Sequence, residues 1–274
     1  MSYVSLPRSC ARAPYFQETR RPWPNLLFIV PLLLLYEIGM TCVQLPGIRN
    51  GADAWLRSAL LIWGAPGGWL LPAAVIVALL AWHLAAQQPW RVHWETFLGM
   101  AAESLLYACG LILVGQAVEA LARHSGLTPI ALEFRLPGVW SGDPEAAVRV
   151  LSFLGAGIYE EFLFRLCLIP LAYGLFCSLL IPPRWALLAA MIGTSVIFAL
   201  AHYLMPAADV TALTVLSDAV AHVQSRRELW FGFGFRVLAG ITFAGLFCFR
   251  GFGIAVGAHA LYDVVVGCVL TCEL

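Results

Sequence analysis

The sequence predicts an all-α fold, a polytopic membrane helix bundle of about eight membrane segments with a buried polar site. The 274-residue chain is 61% hydrophobic and only 12% charged, with a mean hydropathy of +0.83. A soluble domain is about 45–50% apolar and about 25% charged. Apolar runs long enough to cross a bilayer recur along the chain, and one of them contains ionisable residues, which are costly in lipid.

Seven apolar stretches are candidate spans, because crossing the hydrocarbon core takes about 20 residues. The fourth stretch would measure about 51 Å as a single helix, against a hydrocarbon core of about 30 Å. We therefore expect it to break near Pro170 to Gly174, which brings the number of segments to eight. The stretches run from Leu26 to Val43, Trp69 to Ala86, Phe97 to Leu121, Val148 to Ile181, Trp185 to Leu204, Leu229 to Phe249 and Phe252 to Leu270.

The connections between these stretches are short. The longest run from Arg123 to Ala147, which is predicted to be irregular, and from Pro206 to Glu228, which has the spacing of an amphipathic helix lying along the surface. No internal repeat is evident and nothing suggests a second domain. We therefore treat residues 1–274 as a single integral-membrane domain.

A mostly polar N-terminal tail, residues 1–24, precedes the first span. No small-residue cleavage site follows the first apolar run, so the tail is not predicted to be a signal peptide. Its arginines favour a cytoplasmic N-terminus by the positive-inside rule. These arginines are Arg8, Arg12, Arg20 and Arg21.

Charge and cysteine usage exclude several classes of function. The net charge is zero and no basic stripe is present, so no nucleic-acid partner is expected. The eight cysteines form no CxxC pair and lie mostly inside apolar segments. They are typical of small core residues rather than of a disulfide framework or zinc knuckles.

Three ionisable residues lie inside the stretch from Val148 to Ile181. A charged side chain at a bilayer centre costs at least about 2.5–3.5 kcal/mol, so these residues must face a protein interior. On a helix, Glu161 and Arg165 are four apart and share a face, whereas Glu160 is rotated by about 100°. The local pair neutralises Glu161 and leaves Glu160 for a different partner. The alternative is a structural ion pair between helices, which needs only one of the two acids.

Two histidines on other spans complete a constellation that can carry chemistry. His202 lies near the end of its span, one turn after Phe198, and such a histidine is often a satisfied core residue. Asp263 is four residues after His259 and can hold one imidazole nitrogen, which fixes the tautomer. A carboxylate can act as general base on water, an imidazole can share that water, and a second imidazole can donate to an oxyanion.

Other acids lie in the N-terminal spans. Glu103 and Glu119 are near predicted helix ends, where they can reach the interface, and Glu37 can bond to a neighbouring helix. The sequence assigns no role to any of them.

The polar residues form three motifs, each in its own apolar helix. In chain order they are Glu160-Glu161-x-x-x-Arg165, Phe198-x-x-x-His202 and His259-x-x-x-Asp263. This set resembles the CPBP family, the CAAX proteases and bacteriocin-processing enzymes also called the Abi family, which includes the type II CAAX prenyl endopeptidases. The resemblance covers residues 148–270, the family-like catalytic core, and the N-terminal half shows nothing specific to the family.

The resemblance implies an intramembrane endopeptidase of the glutamate-dependent kind, in a bacterial inner membrane. Its substrate would be a membrane-associated protein or peptide, and the lipid bilayer its other partner. Glu160 corresponds to the acid that activates the attacking water, and His202 helps to hold that water. His259 corresponds to the histidine on the oxyanion side.

The resemblance also implies supporting roles for the remaining residues. Asp263 occupies a position often filled by Asn in the prenyl endopeptidases. An ionised Asp cannot donate a hydrogen bond as Asn does, so the role expected of Asp263 is to orient His259. Glu161 and Arg165, together with Phe198, would support the site.

Three alternatives stay open at this point. No cofactor is expected, but Glu160, His202 and His259 can also supply an open three-ligand zinc site. No HExxH motif is present, and no separate base would remain if Glu160 were a ligand. The chain can also be a non-catalytic immunity or scaffold protein of the same fold. A transporter with a proton relay is the third alternative, but the inverted repeat typical of many transporters is not seen.

Overall fold

Apolar helices make up nearly all of the structure. The computed structural model describes residues 15–43, 51–62, 68–124, 132–134, 144–204, 212–268 and 270–272. The first fourteen residues of the predicted polar tail lie outside the described residues, as do most of the loop from Arg123 to Ala147 and the beginning of the loop from Pro206.

The described elements follow the predicted order. The helices are α1 (Tyr15–Glu18), α2 (Pro22–Val43), α3 (Gly51–Ile62), α4 (Leu70–Ala86), α5 (Trp94–His124), α6 (Pro144–Glu161), a π-helical segment (Phe162–Leu168), α7 (Ile169–Ser178), α8 (Pro183–Ala201), α9 (Ala212–Ser225), α10 (Glu228–Phe249) and α11 (Phe252–Cys268). A short antiparallel ribbon pairs β1 (Leu132–Phe134) with β2 (Leu270–Cys272), with Glu133 opposite Thr271. Neither strand was predicted, and neither changes the all-α class.

Five helices of the described chain are long and apolar enough to cross a membrane. They are Pro22–Cys42, Trp94–His124, Ala146–Ser178, Pro183–Ala201 and Glu228–Phe249, and two shorter apolar helices, Leu70–Ala86 and Phe252–Gly267, accompany them. Leu106, Leu113 and Leu121 of α5 are 68%, 65% and 69% exposed, an apolar surface that suits lipid rather than water. The protein is a multi-pass integral membrane protein, as the composition predicted.

Exposed tryptophans mark several helix ends. Trp69 precedes α4, Trp94 begins α5, and Trp185 and Trp230 lie in the first turns of α8 and α10. Tryptophan is enriched where a membrane protein passes through the headgroup region. This distribution agrees with helices that cross a bilayer.

The predicted break near Pro170 to Gly174 is wrong. The chain is helical without interruption from Pro144 through the π-helical segment to Ser178, so the stretch is one candidate span rather than two. The prediction rested on length, but a helix longer than the hydrocarbon core can tilt or extend beyond it. The π-helical segment leads into Pro170 without an interruption of the helix.

Helix α11 lies at the centre of the bundle. Residues 252–260 are all buried, and α11 packs against α2, α5, α6 and α10. Its packing on α6 is close, since a Cβ on Gly157 would lie 2.7 Å from the backbone nitrogen of Ala260. Small residues at this crossing let the two helices come together. Helix α8 packs against α7 and α10.

Polar contacts fix the beginning of α11. The Asn25 Oδ1 atom accepts a hydrogen bond from the backbone N–H of Gly253 at 2.6 Å, and the Asn25 amide donates to the carbonyls of Thr19 at 3.0 Å and Arg21 at 2.6 Å. Gly251 has a φ of +120°, a conformation that side-chain-bearing residues rarely adopt. The chain can therefore turn sharply from α10 into α11 under the N-terminal segment.

Gly157→Ala is expected to destabilise the bundle by about 1–3 kcal/mol, because the added methyl group would overlap the backbone of α11. Gly174→Ala is the matched control, since its Cβ meets nothing within 4 Å. Thermal unfolding in detergent micelles measures both variants. Equal midpoints for Gly157→Ala and Gly174→Ala would contradict this account of the crossing between α6 and α11.

Candidate active site

Glu160 lies between the two histidines that the sequence singled out. It is near the end of α6, and its side chain is 13% exposed. Its Oε2 atom is 3.9 Å from His202 Nε2 and 3.8 Å from His259 Nε2. Both distances exceed a direct hydrogen bond but are short enough for one water molecule to bridge the groups. The structure thus brings residues from α6, the end of α8 and α11 to one point.

His202 presents a hydrogen-bond acceptor to this point. Its Nδ1 atom is 2.9 Å from the backbone carbonyl oxygen of Phe198. A carbonyl only accepts, so Nδ1 carries the proton, and in the neutral ring Nε2 is the acceptor that faces Glu160. The His202 side chain is 31% exposed, against 4% for His259. The site is therefore most open on the side of His202.

His259 lies between carboxylates on both sides of its ring. Its Nδ1 atom is 2.7 Å from Glu161 Oε1, and its Nε2 atom is 3.3 Å from Asp263 Oδ2. Carboxylates accept hydrogen bonds, so both ring nitrogens serve as donors and the ring is held as a cation. The contact with Asp263 was expected from the sequence. The shorter contact with Glu161 was not.

The Glu161–Arg165 pair is present and deeply buried. Arg165 Nε is 3.1 Å from Glu161 Oε2, and the two side chains are 1% and 0% exposed. Arg165 Nη2 also donates to the carbonyl of Gly240 on α10 at 3.2 Å. The Arg165 guanidinium lies 4.4 Å from the ring centroid of Phe198, a cation–π distance. Glu161 thus joins Arg165 to His259 rather than serving the arginine alone.

Aromatic rings form the walls of the site. Phe198 meets His202 edge to face at 4.9 Å and His259 at 5.9 Å between ring centroids. Phe243 stacks on His259 at 4.4 Å with an interplanar angle of 12°. Sequence analysis did not find Phe243 or Gly240. They are three apart on α10 and share a face, but neither residue has a polar side chain that would signal a role.

Positive and negative charges nearly cancel among five residues of the site, Glu160, Glu161, Arg165, His259 and Asp263. Two cations, Arg165 and the His259 ring, face two carboxylates, Glu161 and Asp263. The remaining negative charge of the group is that of Glu160. Such an arrangement suits a carboxylate that must take up a proton during a reaction.

The zinc alternative depends on Glu160, His202 and His259. The contact of His259 Nδ1 with Glu161 does not decide against it, because metal-binding imidazoles commonly donate their other N–H to a carboxylate. Among the residues that the structure describes, no group of three or more His, Cys, Asp or Glu side chains is arranged to hold a metal ion.

Comparison with known proteins relates this constellation to a family. Residues 143–265 match the family model described as type II CAAX prenyl endopeptidase Rce1-like. The matched stretch contains every residue of the three sequence motifs. No curated protein and no solved structure shows significant similarity to the chain. Over residues 143–265, which hold the whole constellation, the chain is therefore similar to the Rce1-like family of CAAX proteases.

Proposed function

We propose that this protein is an intramembrane endopeptidase in which Glu160 activates a water molecule to hydrolyse a peptide bond of a membrane-associated protein or peptide. The observation that carries the proposal is the position of Glu160 Oε2, which is 3.9 Å and 3.8 Å from the two imidazole Nε2 atoms. Similarity of the matched stretch to a protease family supports peptidase activity.

The attacking water would be held by two acceptors. The Glu160 carboxylate and the neutral His202 Nε2 atom each accept one hydrogen from it, which leaves an oxygen lone pair directed at the substrate. As the water oxygen bonds to the scissile carbonyl carbon, one proton moves to Glu160. Glu160 then passes this proton to the departing amine nitrogen as the C–N bond breaks.

The oxyanion would form on the side of His259. Glu161 holds the Nδ1 atom of His259 at 2.7 Å, whereas the contact of Nε2 with Asp263 is longer, at 3.3 Å. The Nε2–H group is therefore the donor that would be shared with a developing negative charge. Asp263 and Glu161 act as positioning residues, because they hold the plane of the ring and favour its protonated form. Arg165 balances the buried Glu161 charge, and Phe198 and Phe243 exclude bulk water.

The substrate class follows from the setting of the site. The catalytic groups lie among helices with lipid-facing apolar surfaces, so a substrate anchored in the bilayer can approach sideways. The name of the matched family points to a C-terminal CAAX sequence on a prenylated cysteine, which provides a first reporter peptide. A bacterial inner membrane and a cytoplasmic N-terminus belong to the same proposal, and Arg20 and Arg21 before α2 support that orientation.

Glu160→Gln and, separately, His202→Ala are expected to lower kcat/KM by about 10²–10⁴-fold, the range contributed by general acid–base groups. The assay uses a quenched-fluorescence reporter peptide with a prenylated CAAX end, cleaved by the purified protein in proteoliposomes. Glu95→Gln, an exposed acid in the first turn of α5, is the matched control and should retain activity. Wild-type processing by Glu160→Gln would refute the assignment of the general base.

Exhaustive chelation is expected to leave this activity unchanged, because the proposed mechanism assigns the activation of water to the Glu160 carboxylate and not to a metal ion. Metal content is measured on the same sample, so that the enzyme is known to be metal-free. Activity that is lost on chelation and restored by about one zinc per chain would favour the three-ligand zinc site instead.

A further inference from the structure

We propose that Tyr159 is a positioning residue of the enzyme: through a buried network with Glu37, Arg57, Asp53 and Tyr36, it fixes the rotation of α6 that directs Glu160 at the two imidazoles. The inference rests on the proposed function, because it explains how the general base is aimed. None of these five residues belongs to the motifs of the family-like core.

The network links three helices by charged and phenolic groups. The Tyr159 hydroxyl donates a short hydrogen bond to Glu37 Oε1, and Arg57 Nη2 lies 2.7 Å from the same oxygen. Arg57 Nε lies 2.5 Å from Asp53 Oδ1, and the Tyr36 hydroxyl donates to Asp53 Oδ2 at 2.8 Å. Side chains of α2, α3 and α6 are thereby joined in one chain of contacts.

Tyr36 and Tyr159, the residues at the two ends of this chain of contacts, also contact each other. The rings of Tyr36 and Tyr159 meet edge to face, with centroids 5.6 Å apart and an interplanar angle of 71°. Tyr36, Tyr159 and Asp53 are 0% exposed. The Tyr36 ring also fills the space that a Cβ on Gly155 would need, one turn before Tyr159. Helix α6 therefore cannot turn about its axis here without breaking buried contacts.

A second anchor holds α6 on its other side. Glu161 is bound to Arg165 and to His259 of α11. Tyr159 is bound to Glu37 of α2 and, through it, to Arg57 of α3. Consecutive helical residues differ by about 100° in direction. The side chains of residues 159 and 161 therefore leave the helix in directions about 200° apart, and the Glu160 side chain points between them. This arrangement sets the direction of the Glu160 carboxylate more tightly than either anchor alone.

A small rotation of α6 about its axis would displace Glu160 far enough to affect catalysis. A rotation of 20° displaces a Cα atom by about 0.8 Å on a helix whose Cα radius is about 2.3 Å, and the tip of a glutamate moves further. A misplacement of about 1 Å can cost about 10²-fold in rate. The gap that the water must bridge between Glu160 and the imidazoles tolerates little change.

A role limited to stability does not account well for the chemistry of the network. Apolar side chains of similar volume often stabilise a buried site as well as ions do, and in a bilayer the ions are costly. A hydrogen-bonded network, in contrast, has directional contacts that specify one orientation. The network ends at the residue directly before the proposed general base.

Tyr159→Phe is the test variant, because it removes only the hydroxyl and keeps the ring. We expect kcat on the prenylated reporter peptide to fall about 10²-fold, with KM changing less than about twofold because substrate contacts are intact. Tyr173→Phe, on α7 in the same continuous helix, is the matched control and should behave as wild type.

A measurement without substrate separates this inference from the proposed function. In ¹⁵N-histidine-labelled protein in nanodiscs, Tyr159→Phe should shift the imidazole signals of His202 and His259, whereas Tyr173→Phe should not. Because no cleavage is involved, these signals test the positioning of Glu160 even if the peptidase assignment fails.

Substitutions at Glu37 keep the inference testable if Tyr159→Phe fails to fold, as judged by thermal unfolding. Glu37→Gln retains an acceptor for the Tyr159 hydroxyl and should preserve kcat within about tenfold, whereas Glu37→Leu should lose about as much as the loss predicted for Tyr159→Phe. In a folded double variant, the losses of kcat caused by Tyr159→Phe and Glu37→Leu should not be additive.

Two outcomes would overturn the inference. One is a folded Tyr159→Phe variant with wild-type kcat and unshifted imidazole signals. The other is equal kcat values in Glu37→Gln and Glu37→Leu.

Discussion

The ion pairs of the buried Glu161 carboxylate hold together the part of the bundle that carries the candidate site. One oxygen faces Arg165 and the other faces His259, so a single side chain joins the end of α6, the π-helical segment and α11. Charges of this kind survive in a bilayer only when each has a partner. Arg165 in turn reaches the backbone of α10, and Phe198 of α8 covers its guanidinium. Four helices are thereby placed around one charge.

Glu160 gains its chemical character from the neighbours that Glu161 arranges. With Arg165 and Asp263 in place, His259 is held as a cation next to a carboxylate that keeps the remaining charge. His202 approaches from the open side of the site, where its exposed edge can meet solvent or substrate. The close packing of α6 on α11 brings these groups together, since Gly157 allows contact with Ala260. Helix packing and electrostatics therefore support the same geometry.

The sequence alone predicted the features that depend on composition and local spacing. Apolar length located the spans, and the spacing of four residues predicted the Glu161–Arg165 and His259–Asp263 contacts. It failed where tertiary contacts decide. The length of the fourth stretch predicted a break near Pro170, but the helix continues through the π-helical segment to Ser178. The contact of Glu161 with His259 joins residues that are 98 apart, and the hydrogen bond from Tyr159 to Glu37 joins residues that are 122 apart. No local pattern encodes either contact.

The proposed mechanism requires Glu160 and His202 to share one water molecule. An experimental structure of the protein in lipid nanodiscs, at a resolution that shows ordered water, would reveal whether they do. We expect one solvent molecule within hydrogen-bonding distance of both Glu160 Oε2 and His202 Nε2, with His259 held between Glu161 and Asp263. A separation of more than about 6 Å between the Glu160 carboxylate and the His202 ring, too far for a single water to bridge, would contradict the mechanism.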